Sequence, residues 1–203
     1  MPRTKNTSTE EKILAAAKTI FIEKGMDGAR MQDIADNAGI NKALLHYYFK
    51  SKEKLFEVIF KEGAEKLFSK INSILNSDLP LFEKIRLFST EYAEIISQNP
   101  YLPLFVLNEM NKQPHSFLEN IFGKNQPTFE NLVKQIDKEI KKGTIKQVSP
   151  VNLVINMISL SIFPFVAKPV FQRIMNLDAL QFGSIMDQRK TMNAEFIIAS
   201  IKK

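Results

Sequence analysis

The chain has 203 residues and a formal charge of +6, from 28 lysines and arginines against 22 acids, and its 44% hydrophobic fraction is enough to build a core without covalent staples. It contains no cysteine, which excludes disulfides, thiolate zinc sites, iron–sulfur clusters and cysteine nucleophiles, and a reducing cytoplasmic setting suits it. The opening MPRTKNTSTEEK is polar, and the hydrophobic runs meet Pro, Asn or Lys before the roughly 20 residues that a bilayer needs, so neither secretion nor membrane insertion is expected.

Apolar residues recur every three or four positions almost throughout, and strand-like alternation is scarce, which predicts an all-α chain. Ser8 or Thr9, with Glu11 or Lys12 following, starts a first helix with Ile13, Leu14, Ala17, Ile20 and Phe21 on one face, and Lys24-Gly25 stops it. A second helix runs from about Met31 to Asn37 with Ile34, Ala35 and Ala38 inward; Gly39 supplies a turn residue at ease with positive φ, and Ile40 plugs the turn. Asn41 caps a third helix, about Lys42 to Phe49, with Leu45, Tyr48 and Phe49 as inward positions. Two short helices joined by a glycine turn make a helix-turn-helix.

Ser51, with Lys54 following, opens a long fourth helix whose Leu55, Phe56, Ile59, Phe60, Leu67, Phe68, Ile71 and Leu75 form a wide apolar stripe. Pro80 then opens a segment to about Gln98, and Pro100 and Pro103 open another to about Asn111. A broken pair follows from Pro114 to Lys142, with Gly123 and Pro127 between its parts, and Gly143 ends it. Ser149-Pro150 is a cap and first-turn proline, after which the chain is apolar on nearly all sides until Pro164 and Pro169 kink or break it. A final amphipathic helix spans about Gln188 to Ile201.

Charge is concentrated where the helix-turn-helix ends. Between Lys42 and Lys54 there are four lysines and one acid, Glu53. A helix in a major groove reads base edges with a few side chains, while basic groups and helix N-termini hold phosphates. Lys42 lies in the first turn of the third helix, Ala43 permits close backbone approach, and His46 and Tyr47 project opposite Leu45 and Phe49. Lys50 and Lys52 flank the start of the fourth helix, where free N–H groups and the dipole favour an anion.

The stretch ILAAAKTIFIEKGMDGARMQDIADNAGINKALLHYYFKSKEKLF resembles the N-terminal DNA-binding domain of the tetracycline-repressor (TetR) family, in the linked order helix, Gly, Asp-Ile-Ala, Ala-Gly, then aromatic-Tyr-Phe-Lys-Ser-Lys-Glu. The resemblance covers about the first quarter of the chain. It implies that Lys42, Ala43, His46 and Tyr47 belong to the recognition helix and that Tyr48 and Lys52 lie near the phosphate backbone. Arg30 stands where the family usually has Ser or Thr, exchanging a hydroxyl cap for a cationic reach to phosphate. Leu44 and His46 also depart from the usual small or hydroxyl residue and aromatic, and both bear on base preference.

The same resemblance implies a second, all-helical domain that pairs with its copy through the last two long helices and encloses a ligand pocket. The expected division is residues 1–54 for DNA binding and 55–203 for ligand binding and dimerisation. The residues themselves point to Val151–Phe165 and Met192–Ile201 as interface candidates, with burial in a monomer core as the alternative. Phe68, Tyr92, Phe105, Met110, Met157, Phe163 and Phe165 are the candidates for an apolar pocket, and core packing accounts for the same residues equally well. An effector would be apolar or amphipathic.

No catalytic or metal-binding pattern is visible. His46 and His115 are the only histidines, neither within metal-ligand spacing of a partner, and no cofactor is expected. Glu10-Glu11 and Glu109 with Glu119 lack partners for acid–base work, and no serine sits in a strained elbow motif. The sequence thus describes a regulator that binds a palindromic operator as a homodimer and is released by a ligand; the alternative is a helical carrier of an apolar molecule with no DNA function. A ferritin-like enzyme would need Glu-x-x-His, which is absent.

Overall fold

A computed structural model describes residues 8–112, 119 and 129–203; His115 and the first part of the expected broken pair lie outside them. The helices, in chain order, are α1 (Thr9–Gly28), α2 (Met31–Ala38), α3 (Lys42–Tyr48), α4 (Lys52–Leu75), α5 (Leu81–Gln98), α6 (Leu102–Lys112), α7 (Glu130–Lys142), α8 (Pro150–Val166), α9 (Lys168–Ile174) and α10 (Ala179–Ile201). No strand occurs among the described residues, only an isolated bridge between Ile145 and Lys202. The chain forms two compact units, Met1–Gly63 and Ala64–Lys203.

In the first unit, Ser8 and Glu11 close a reciprocal capping box, with Glu11 N–H donating to Ser8 Oγ at 3.2 Å and Ser8 N–H to Glu11 Oε2 at 2.9 Å. Ile13, Ala16, Ala17, Ile20 and Phe21 form the buried face of α1, with Ala16 taking the place expected for the half-buried Leu14. Gly25 leaves helical geometry at φ 72°, as its sequence position suggested, but one more turn continues to Gly28. The first turns of α4 contribute Leu55 and Phe60 to this core, and Phe56 meets Phe21 edge to face at 5.0 Å between centroids.

The second unit is built on α5 and α10. Leu81, Ile85, Phe88, Tyr92 and Ile96 supply the buried face of α5, and Phe182, Met186, Ala194, Ile197, Ile198 and Ile201 that of α10. Each fully buried Leu, Ile, Phe or Met among them contributes about 1.5–3 kcal/mol. Ion pairs edge the seam, with Arg86 Nε to Glu195 and Lys190 Nζ to Glu94 both at 2.7 Å. The nearly buried Lys84 donates to the carbonyl of Leu75, the last residue of α4, at 3.0 Å, a cation placed at a helix C-terminus. Its burial pulls its pKa down, with Asp78 opposing.

Two expectations are corrected in the C-terminal part. The last helix begins at Ala179 rather than near Gln188, because Asp178 and Gln181 form a second reciprocal capping box. Pro164 is accommodated within α8, and the break falls at Ala167, after which α9 departs at 68°. Among the described residues no single helix is long and apolar enough to cross a membrane.

Candidate nucleic-acid interface

The turn between α2 and α3 fixes the geometry of the site. Gly39 takes the left-handed conformation, φ 68° and ψ 33°, while its N–H donates to Asp36 O at 3.2 Å and that of Ile40 to Ala35 O at 3.0 Å, the paired bonds of a Schellman end. Asn41 Oδ1 then accepts from Leu44 N–H at 2.7 Å and starts α3. Leu45 and Phe49, four apart, are buried and fasten α3 to the core.

The opposite face of α3 is in solvent. Lys42, Ala43 and His46 are exposed, Leu44 is 37% exposed and Tyr47 81%. Tyr48, expected inward, is 40% exposed, since Leu45 and Phe49 already occupy the core side; its ring meets that of Tyr47 edge-on at 5.6 Å. Lys50 is exposed and Lys52 half-buried, one on either side of the start of α4. None of Lys42, Lys50 and Lys52 forms an ion pair among the described residues, whereas Lys54 is held by Glu57 at 2.8 Å.

Two acids whose capping role the sequence did not reveal shape this face. Asp33 accepts from Lys24 Nζ at 2.8 Å and from the backbone N–H of Arg30, so it caps α2 where the exposed Arg30 side chain makes no cap hydrogen bond. The bond from Lys24, more than any other contact, holds the Asp33 carboxyl below its ordinary pKa. Glu53 bonds its own N–H and the Ser51 hydroxyl, which lower its pKa, and Lys54 N–H donates to Ser51 Oγ at 3.2 Å. The N-terminus of α4 is therefore partly satisfied from within, and the lysines beside it carry more of any anion contact than the free N–H groups. The signal for both acids was an Asp or Glu in the first helical turn.

The pocket candidates are less concentrated. Tyr92, Phe105 and Met157 are buried, Phe68, Met110 and Phe165 half-buried, and Phe163 is 59% exposed, stacked edge-on against Phe171 instead of facing inward. Its helix turns Leu153, Val154 and Met157 to the core, which leaves Val151, Ile155 and Phe163 on the outer side, as Met192 and Phe196 are left on α10. Burial pushes the Tyr92 phenol's pKa up, so it stays protonated. Among the described residues no group of three or more His, Cys, Asp or Glu is placed to hold a metal ion.

A short helix locked by a glycine turn, with a solvent face of one lysine, one histidine and two tyrosines and with further unpaired lysines just beyond it, defines a helix-turn-helix DNA-binding protein. Residues 13–59 match the family described as bacterial regulatory proteins, tetR family. The biofilm operon icaADBC HTH-type negative transcriptional regulator IcaR of Staphylococcus aureus is 30% identical over 141 residues, covering 68% of this chain and 72% of the relative. The HTH-type transcriptional repressor KstR2 of Mycolicibacterium smegmatis is 33% identical over 78 residues, 38% of each chain. Among solved structures, the ketosteroid transcriptional regulator KstR2 of Mycobacterium tuberculosis superposes with a TM-score of 0.66 at 19% identity, covering 97% of this chain and 96% of that one. The TetR family transcriptional regulator PfmR of Thermus thermophilus gives 0.64 at 20% identity, over 92% and 97%. The chain belongs to the TetR family and is a DNA-binding transcriptional regulator.

Proposed function

We propose that the chain is a cytoplasmic, non-enzymatic repressor that binds a palindromic operator as a homodimer and is released by a small apolar or amphipathic effector. The observation that carries the DNA side is the solvent face of α3. Lys42, Ala43, Leu44, His46 and Tyr47 meet base edges on this reading, while Arg30, Tyr48, Lys50 and Lys52 hold phosphates. Residues 1–54, packed on the first turns of α4, are the reading head, and the rest of 55–203 serves pairing and control.

Pairing of two copies accounts for the apolar outer faces of α8 and α10, where Val151, Ile155, Phe163, Met192 and Phe196 are exposed. A two-fold axis would set two copies of α3 at half-sites about one helical turn apart. Helix α4 contributes Leu55 and Phe60 to one unit's core and Leu67, Ile71 and Leu75 to the other's, so a ligand that shifts α4 changes the spacing of the reading heads. Release follows only if the ligand favours the spacing that does not fit the operator. The names of the relatives, a negative regulator and a repressor, support repression as the outcome.

The test is the double substitution Lys42→Ala with Tyr47→Ala, assayed by fluorescence anisotropy on the chain's own operator duplex and by thermal melting. Both side chains are exposed, so the melting temperature should hold while DNA affinity falls by at least about tenfold. Unchanged DNA affinity would favour the carrier reading instead.

A further inference from the structure

Pro164 has no N–H, so the carbonyl of Leu160, four residues earlier in α8, lacks a partner within its own helix. Helix α10 supplies one: Arg189 Nη2 donates to Leu160 O at 3.0 Å. One turn further along, Asn193 Nδ2 donates to Ser161 Oγ at 3.1 Å, and Ser161 Oγ donates to Met157 O at 2.8 Å. From α5 comes Ser89, 3% exposed, whose Oγ has no hydrogen-bond partner among the described residues. These polar groups border a cavity of about 10 Å³ whose remaining walls are Ala93, Leu160, Phe165 and Met186.

Core packing accounts for Arg189 on the Leu160 carbonyl and for Asn193 on Ser161, but not for the Ser89 hydroxyl. A buried hydroxyl without a partner is costly, and three further polar side chains converge on the same small space. Arg189 is half-buried and has no carboxylate partner among the described residues, while the adjacent Lys190 holds both Glu94, at 2.7 Å, and Asp187, at 2.9 Å. A guanidinium has five N–H donors, and the bond to Leu160 uses one of them. A half-buried guanidinium with donors to spare suits an anion.

We propose that this cavity receives the polar head of the effector and that the head is a carboxylate, bound by Arg189 and by the free hydroxyl of Ser89. The assignment rests on the ligand-release reading above. Among the described residues Arg189 is the one charged side chain in the cavity wall, so it matches a singly charged planar group better than a phosphate dianion, for which these walls hold no second cation. The space is about that of one water molecule, so the carboxylate and its apolar tail enter only as Phe165 or Met186 moves aside; the unbranched, flexible methionine is the easier wall. When Arg189 turns to the carboxylate, the Leu160 carbonyl loses its donor at the proline. The packing of α8 on α10 changes with it, and these are the helices whose outer faces are proposed to pair.

The test uses the full chain on its operator duplex, titrated with straight-chain carboxylates from hexanoate to palmitate and with alcohols of the same lengths. Release is followed by fluorescence anisotropy, and each variant is compared with its own ligand-free affinity. Carboxylates should act at concentrations about tenfold lower than the matched alcohols, the equivalent of one charge-assisted hydrogen bond. Ser89→Ala should weaken carboxylates, and Arg189→Met should abolish their advantage. Because R189M also strips the Leu160 carbonyl, P164A is combined with it to restore a backbone donor, and the advantage should stay lost in the double variant. If alcohols match or outperform carboxylates, or R189M with P164A keeps the preference, the site is refuted and ligand release stands. No release by either class also refutes the site for straight-chain carboxylates, while release by a ligand of another shape would keep the ligand-release reading.

Discussion

Leu44 and Leu45 are neighbours on α3 with opposite surroundings, one 37% exposed and the other fully buried, so their substitution separates reading from folding. Leu45→Ala should destabilise the first unit by about 2–5 kcal/mol, seen in thermal or denaturant unfolding. Leu44→Ala should leave stability within about 0.5 kcal/mol and change the base preferred at one position of the selected site, as expected for an apolar side chain against a thymine methyl. Site selection with each variant checks both. Asp33 gives a prediction in pH. Its folded pKa lies below the ordinary 3.8, so this carboxylate contributes stability above that value and loses it as pH falls through the folded pKa. Lys24→Met removes the main cause, so an NMR titration should find the Asp33 pKa shifted up toward 3.8 and a smaller acid-side loss of stability.

The α2–α3 turn depends on one backbone conformation. Space is not its constraint: a Cβ built on Gly39 meets nothing within 4 Å, but φ is +68°. Gly39→Ala should therefore cost about 1–2 kcal/mol and Gly39→Asn less, and chemical denaturation of the two variants checks the order. Caps also decide which boundaries were legible in the sequence. Ser8, Asn41 and Ser149 each precede a clear apolar period and each caps its helix through a side-chain hydrogen bond. Asp178 does the same, yet it was missed because Leu180 and Ile185 are exposed while Phe182 and Met186 are buried, and Gly183 intervenes, which blurs the single apolar stripe. Tyr48 was misplaced for a different reason: helical spacing allowed it an inward position, but Leu45 and Phe49 had already filled that side.

For the whole molecule, the proposed reading face could be recognised from residue types at fixed spacing, because the helix-turn-helix is built from neighbours in sequence. The proposed effector site could not, since its polar cavity joins Ser89, Ser161 and Asn193 from three helices far apart in the chain. The sole local hint was Pro164, which frees a carbonyl four residues earlier without showing what satisfies it. Pairing is tested through the outer faces of α8 and α10. Ile155→Glu and Phe196→Glu place charges on exposed positions, so each should leave the monomer fold intact, shift sedimentation from dimer to monomer and abolish tight operator binding.

The central claim is that two copies of α3 read DNA while lysines and Arg30 hold its backbone. Selection from a random duplex library, followed by titration of the selected site at several salt concentrations, tests it most directly. An enriched palindrome should emerge, with log affinity falling against log salt with a slope of about −5, for roughly six phosphates neutralised by Arg30, Lys50 and Lys52 of two copies. Sequence-blind binding with a shallow slope would contradict the account.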